Sequence, residues 1–108
     1  NERYGNKMIN TLIYFGTDIK NKSFVSDKQF NSFLDTELAN EVEGFSVSEI
    51  TGYWKGTKEK TKVVSILHEK NDINYINVVN KVALKYKTKF EQDSVLITRQ
   101  EPNSVDFI

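Results

Sequence analysis

The chain has 108 residues, with 15 Lys and Arg against 15 Asp and Glu, one histidine and no cysteine. The missing cysteine excludes disulfides, thiolate catalysis and Cys-based zinc sites. A net charge of zero argues against a nucleic-acid binder, which needs a basic excess to replace phosphate counterions. A single domain is expected over residues 9–108, after a lead-in over residues 1–8. At this length it should bury roughly 65% of its unfolded surface, enough for a core without metal or disulfide staples. No apolar run approaches the roughly 20 residues of a membrane span, and no signal-peptide pattern is visible.

Ile9 to Gly16 alternates loosely, with apolar groups on both faces near Ile13, which predicts a central strand. Asp18 to Ser23 reads as a polar loop. A helix follows: Ser26 caps it, Gln29 completes a capping box, and Val25 with Phe30 forms a hydrophobic staple. Phe30, Phe33, Leu34, Leu38 and Val42 make its apolar stripe, and Gly44 reads as a left-handed stop. Phe45 to Gly56 is a second strand whose apolar residues change phase, so a bulge between Val47 and Ile50 is expected. After a turn over Gly56–Lys60, Lys62 to His68 is a third strand. Asn71 or Asp72 caps a second helix, with Tyr75, Ile76, Val79, Val82, Ala83, Tyr86 and Phe90 as its stripe. Ser94 to Thr98 is the fourth strand, Pro102 breaks it, and Ser104 to Ile108 is a candidate short extra strand.

Strand, helix, strand, strand, helix, strand is the order of a ferredoxin-like α+β sandwich: a four-stranded antiparallel sheet with two helices on one face. The other face of such a sheet needs a cover, and self-association is a common one.

Five residues stand out as candidate ligand-binding positions. His68, the sole histidine, is the first candidate for acid–base work or metal ligation; the plainer reading is a hydrogen-bonded structural residue. Tyr14 offers a phenol at the end of the first strand, and Gly16 allows close approach of backbone to a ligand. Trp54, the only tryptophan, suits an interface or a ligand floor as well as core filling. Glu59, with Lys62, lies on the other arm of the hairpin within reach of Trp54; an ordinary surface ion pair is the alternative. No phosphate loop, nucleophile elbow or HExxH motif is present. No metal and no cofactor are expected, because a zinc site would leave His68 almost alone among nitrogen and sulfur ligands.

In order and spacing, Tyr14-Phe15-Gly16, Val25-Ser26, Phe33-Leu34-Asp35, Gly44-Phe45, Gly52 with Trp54, Glu59, and Gln92-Asp93-Ser94-Val95-Leu96 resemble one bacterial family of unknown function. The resemblance spans about Leu12 to Thr98. It departs at a shorter turn between Trp54 and Glu59 and at Asp93, where Glu is expected. Members of that family are small and often exported, which implies secretion or the cell envelope, with the cytoplasm as the alternative.

The favoured function is a non-enzymatic module that binds a small ligand or a protein and forms a homodimer. The second is an enzyme or haem-binding protein of the dimeric α+β barrel kind, with His68 as base or axial ligand, Tyr14 and Trp54 lining the cavity and Glu59 orienting a polar group. Single-strand nucleic-acid binding through Tyr14, Phe15 and Trp54 is disfavoured by the neutral charge.

Overall fold

The first strand, β1 (Met8–Gly16), buries alternate residues: Ile9, Thr11, Ile13 and Phe15 point into the core, while Asn10, Leu12 and Tyr14 point the other way. The computed structural model describes residues 7–20 and 23–108. Most of the lead-in expected over residues 1–8 lies outside them, and Met8 already belongs to β1. The polar loop expected over Asp18–Ser23 holds the ends of a small hairpin instead, β2 (Asp18–Ile19) paired with β3 (Ser23–Phe24), with residues 21 and 22 outside the described residues.

The next element, α1 (Asp27–Glu37), opens on the expected capping box: Gln29 N–H donates to Ser26 Oγ at 3.1 Å, and Ser26 N–H donates to Gln29 Oε1 at 2.9 Å. Its stripe is buried as expected, from Phe30 to Val42. The helix nevertheless ends at Glu37, earlier than expected. Leu38 and Ala39 both donate to the Leu34 carbonyl, and turns carry the chain onward while keeping Leu38 and Val42 inside. Gly44 is not the left-handed stop; among the described glycines only Gly56 has a positive φ.

Strands β4 (Ser46–Trp54) and β5 (Thr57–Glu69) pair without interruption from Ser46↔Ser65 to Trp54↔Thr57, so the bulge expected after Val47 is absent. No single buried face needed restoring: β4 is an edge strand, and both Val47 and Ile50 are exposed. The turn is only Lys55-Gly56, at φ 49° and 81°, the paired positive φ of a tight two-residue hairpin. The five-residue turn expected over Gly56–Lys60 is therefore mostly strand.

Asp72, rather than Asn71, caps α2 (Ile73–Lys89), accepting from the backbone of Asn74 and Tyr75. The last strand, β6 (Leu96–Gln100), pairs with β1 two residues later than expected. Past Pro102, which has no N–H to donate to a ladder, residues 104–108 form no strand.

The sheet order is β4-β5-β1-β6, antiparallel throughout, as in a ferredoxin-like sandwich. Both helices lie on one face: Phe30, Phe33 and Leu34 of α1 and Val79, Val82 and Tyr86 of α2 share one core with Ile13, Phe15, Val64 and Ile66. Within it the Phe15 and Tyr86 rings stand 4.5 Å apart, and Phe33 packs edge-on to both.

Candidate functional site

Strand alternation leaves a second sheet face that neither helix covers. It carries Leu12, Tyr14 and Gly16 from β1, Ile50, Gly52 and Trp54 from β4, Glu59, Thr61, Val63 and Leu67 from β5, and Leu96 from β6. Leu96 is 58% exposed and Ile50 43%. The strand residues of this face include two carboxylates, Glu59 and Glu69, and no lysine or arginine. Depletion of charge with aromatic residues present is how the centre of an interface differs from ordinary surface.

Glu59 is held in place at one end of this face. Its Oε2 accepts from Asp18 N–H at 2.8 Å. The side chain lies over Gly16, where a Cβ would stand 2.8 Å and 2.9 Å from the two carboxylate oxygens and 3.0 Å from Gln92 Oε1. Gly16 thus permits a close approach, in the sense the sequence suggested, but what approaches is Glu59 itself, and a Cβ there would have to push the carboxylate aside. The β1 end is fixed from beneath as well. The Tyr86 hydroxyl donates to the Gly16 carbonyl at 2.7 Å, Gln92 Nε2 donates to the Asp18 carbonyl at 2.6 Å, and Thr17 Oγ1 donates to the Lys60 carbonyl at 2.6 Å. Burial pushes the Tyr86 phenol well above its ordinary range, and the nearby Glu59 charge adds to it, so the hydroxyl keeps its proton and goes on donating it to the Gly16 carbonyl. Beside Glu59, Gly52 lies close to the small Thr61 side chain, which stands in the row between Ile50 and Gly16.

The structure brings Tyr14, Gly16, Glu59 and Trp54 onto one face and sets His68 apart. Trp54 stands one row beyond Glu59, 75% exposed, near the hairpin tip. Lys62 lies on the opposite face from Trp54, ion-paired to Asp27 and Glu49. Phe15 is fully buried beneath the helices, which removes it from any nucleic-acid platform on the open face. His68 is on the helix-covered face at the far end of the sheet, opposite Ile9, and 3% exposed. Its Nε2 meets Thr11 Oγ1 at 2.6 Å, its Nδ1 meets the Glu69 carbonyl at 2.8 Å, and its ring stacks on Tyr75. Because a carbonyl only accepts, Nδ1 carries a proton and donates it to Glu69. Both ring nitrogens are thus engaged within the chain. His68 and Tyr75 border a cleft of about 690 Å³, whose rim includes Glu43, Glu69 and Phe107. Among the described residues no group of three or more His, Cys, Asp and Glu side chains converges as a metal site, and no helix is long and apolar enough to cross a membrane.

Gln92 and the Tyr86 hydroxyl are site residues that sequence reasoning missed. Tyr86 was legible as a stripe position and Gln92 as part of the family progression, but neither pattern shows the hydrogen bonds they make.

Residues 10–107 match the model of a family described as "Protein of unknown function (DUF3574)". No curated protein matches the chain. Among solved structures, a phage SAM lyase in complex with S-methyl-5'-thioadenosine is similar, with a TM-score of 0.63 at 15% identity over 92% of this chain and 84% of that one. A phage SAM lyase in the apo state gives 0.59 at 17% identity, over 86% and 79%. The de novo designed protein Foldit4 gives 0.59 at 16% identity, over 90% and 100%. A lyase and a designed protein share this fold, so the likeness speaks to the fold and leaves function to the site.

Proposed function

Because the chain belongs to DUF3574, a family of unknown function that bears out the resemblance in its sequence, its role has to be argued from its own residues, and we propose that it is a small-molecule-binding domain. The ligand lies on the open sheet face beside Glu59, with Tyr14, Ile50 and Leu96 as apolar contacts, and a second copy covers the face short of the Trp54 tip. One observation carries this: a carboxylate hydrogen-bonded by Asp18 N–H and laid over a glycine, on a face otherwise almost free of charge. A surface built for solvent alone gains nothing from that arrangement. Four strands of five to thirteen residues, at about 4.8 Å spacing and about 3.4 Å per residue, give a face on the order of 500 Å² in projection, and its accessible surface is larger. That approaches the roughly 800 Å² per partner of a stable interface. We place the protein in the envelope or secreted space, in line with the export habit of the family it resembles.

The test is sedimentation together with native mass spectrometry of the purified protein, then titration with S-methyl-5'-thioadenosine as a first nucleoside probe. The expected result is a dimer holding a small molecule or binding the probe saturably. Gly16→Ala, which displaces the carboxylate, and Glu59→Gln should each weaken it about tenfold or more. A strict monomer that retains no small molecule and binds no probe overturns the proposal. Conversion of the bound molecule, followed in the same spectra, would make the domain an enzyme.

A further inference from the structure

β1 stops at Gly16, opposite Thr61, so beyond Lys60 the β4–β5 hairpin extends with no third strand beside it. At its tip Tyr53 is 67% exposed and Trp54 75%. Adjacent residues of a strand point to opposite faces, so the two rings flank the tip on both sides. Each carries an ammonium: Lys55 Nζ lies 5.7 Å from the Trp54 ring and Lys58 Nζ 5.8 Å from the Tyr53 ring. Neither lysine forms an ion pair among the described residues. The nearest carboxylate on the hairpin, Glu59, is turned back to Asp18.

We propose that this tip is an arm that inserts into an anionic lipid surface. A flat protein partner would cover one ring and leave its opposite in water, whereas entry along the strand axis covers both. Tyr and Trp rings favour the headgroup level of a bilayer, and lysine stems let the ammonium groups stay at the phosphates while the rings descend. The charge is complementary: the tip carries two free cations in a chain of zero net charge. Nothing here depends on the ligand beside Glu59, so either proposal can fail alone.

Trp54 is the only tryptophan, so its fluorescence reports the tip directly. The intact protein is titrated with vesicles of phosphatidylcholine and with an equimolar phosphatidylcholine–phosphatidylglycerol mixture. A blue shift with the anionic vesicles alone is expected, reversed in about 0.5 M salt as screening grows. The double variant Lys55→Asn, Lys58→Gln, which keeps a residue tolerant of positive φ at 55, should lower vesicle affinity roughly thirtyfold. Tyr53→Ser should weaken it while leaving the reporter intact. No shift, or an equal shift with both vesicle types, overturns the proposal. So does a shift that follows protein concentration without vesicles, which would assign the tip to a second copy.

Discussion

Thr11, Ile13 and Phe15 point one way from β1, and Leu12, Tyr14 and Gly16 point the other, so a single strand supplies two surfaces with opposite tasks. The helix-covered face is sealed by rings: Phe15, Phe30, Phe33 and Tyr86 are each 3% exposed or less. The open face mixes Leu12, Tyr14 and Val63 with Ser48, Ser65 and Thr98 at its centre and ends in a carboxylate held by a backbone N–H over a glycine rather than by packing. What separates them is tolerance. A filled face punishes any lost volume, while an open one gives up only what its ligand or partner would have used.

The largest expected effect breaks the comparison if it fails. Phe15→Ala should cost about 3–5 kcal/mol, as a buried aromatic truncation does, whereas Leu96→Ala on the open face should stay within about 0.5 kcal/mol for the isolated chain. Urea unfolding at two protein concentrations measures both. If the Leu96 variant unfolds earlier only at high concentration, its loss falls on the association of two copies, which sharpens the case for a covered face. Equal losses for the two variants at every concentration would mean that the faces are not different in kind.

His68 gives the next test, because it belongs by residue type to chemistry and by position to the core. His68→Leu keeps the bulk but leaves the Thr11 hydroxyl and the Glu69 carbonyl without their ring partner. The expected loss is about 1–3 kcal/mol, with ligand affinity beside Glu59 unchanged. A fall in that affinity with stability intact would return the histidine to the site.

Local rules made much of this legible. The capping box at Ser26, the stripe from Phe30 to Val42 and the two-helix, four-strand order follow from neighbours a few residues apart, and the structure has them. What was misread depends on partners far along the chain. The phase change after Val47 suggested a bulge only because β4 was assumed to need a buried face; its position at the sheet edge is a property of pairing with β5. Likewise Glu59 was read against Trp54, its neighbour across the hairpin. Its real partners, Asp18 and Gly16, come from the end of another strand, about 40 residues away. No periodicity reports that meeting. Gln92 was overlooked for the same reason: its carboxamide spans to the Asp18 carbonyl from beyond α2.

The smallest predicted effect lies where the covered face runs out into solvent. Lys60 and Lys62 of β5 meet Asp27 at the start of α1 and Glu49 of β4, with Nζ–O distances between 2.8 and 3.3 Å. Hydrogen bonds from Lys62 first, and then from Lys60, hold the Asp27 carboxyl below its ordinary range. A hydrogen bond from Lys62 does the same for Glu49. A carboxyl lowered on folding contributes stability above its unfolded pKa and loses it as pH falls through the folded value. The quartet's contribution should therefore vanish on acidification below the usual carboxylate range. Exposed pairs are worth little and are screened by salt, so a small downward drift of the melting temperature in acid is expected, flatter in about 0.5 M salt. Glu49→Gln should remove part of that acid slope and leave the melting temperature at neutral pH nearly unchanged. A steep acid transition that survives this substitution would place the titrating carboxyl elsewhere, and Glu101, held below its ordinary range first by the hydrogen bond from Lys70, is where it would be sought first.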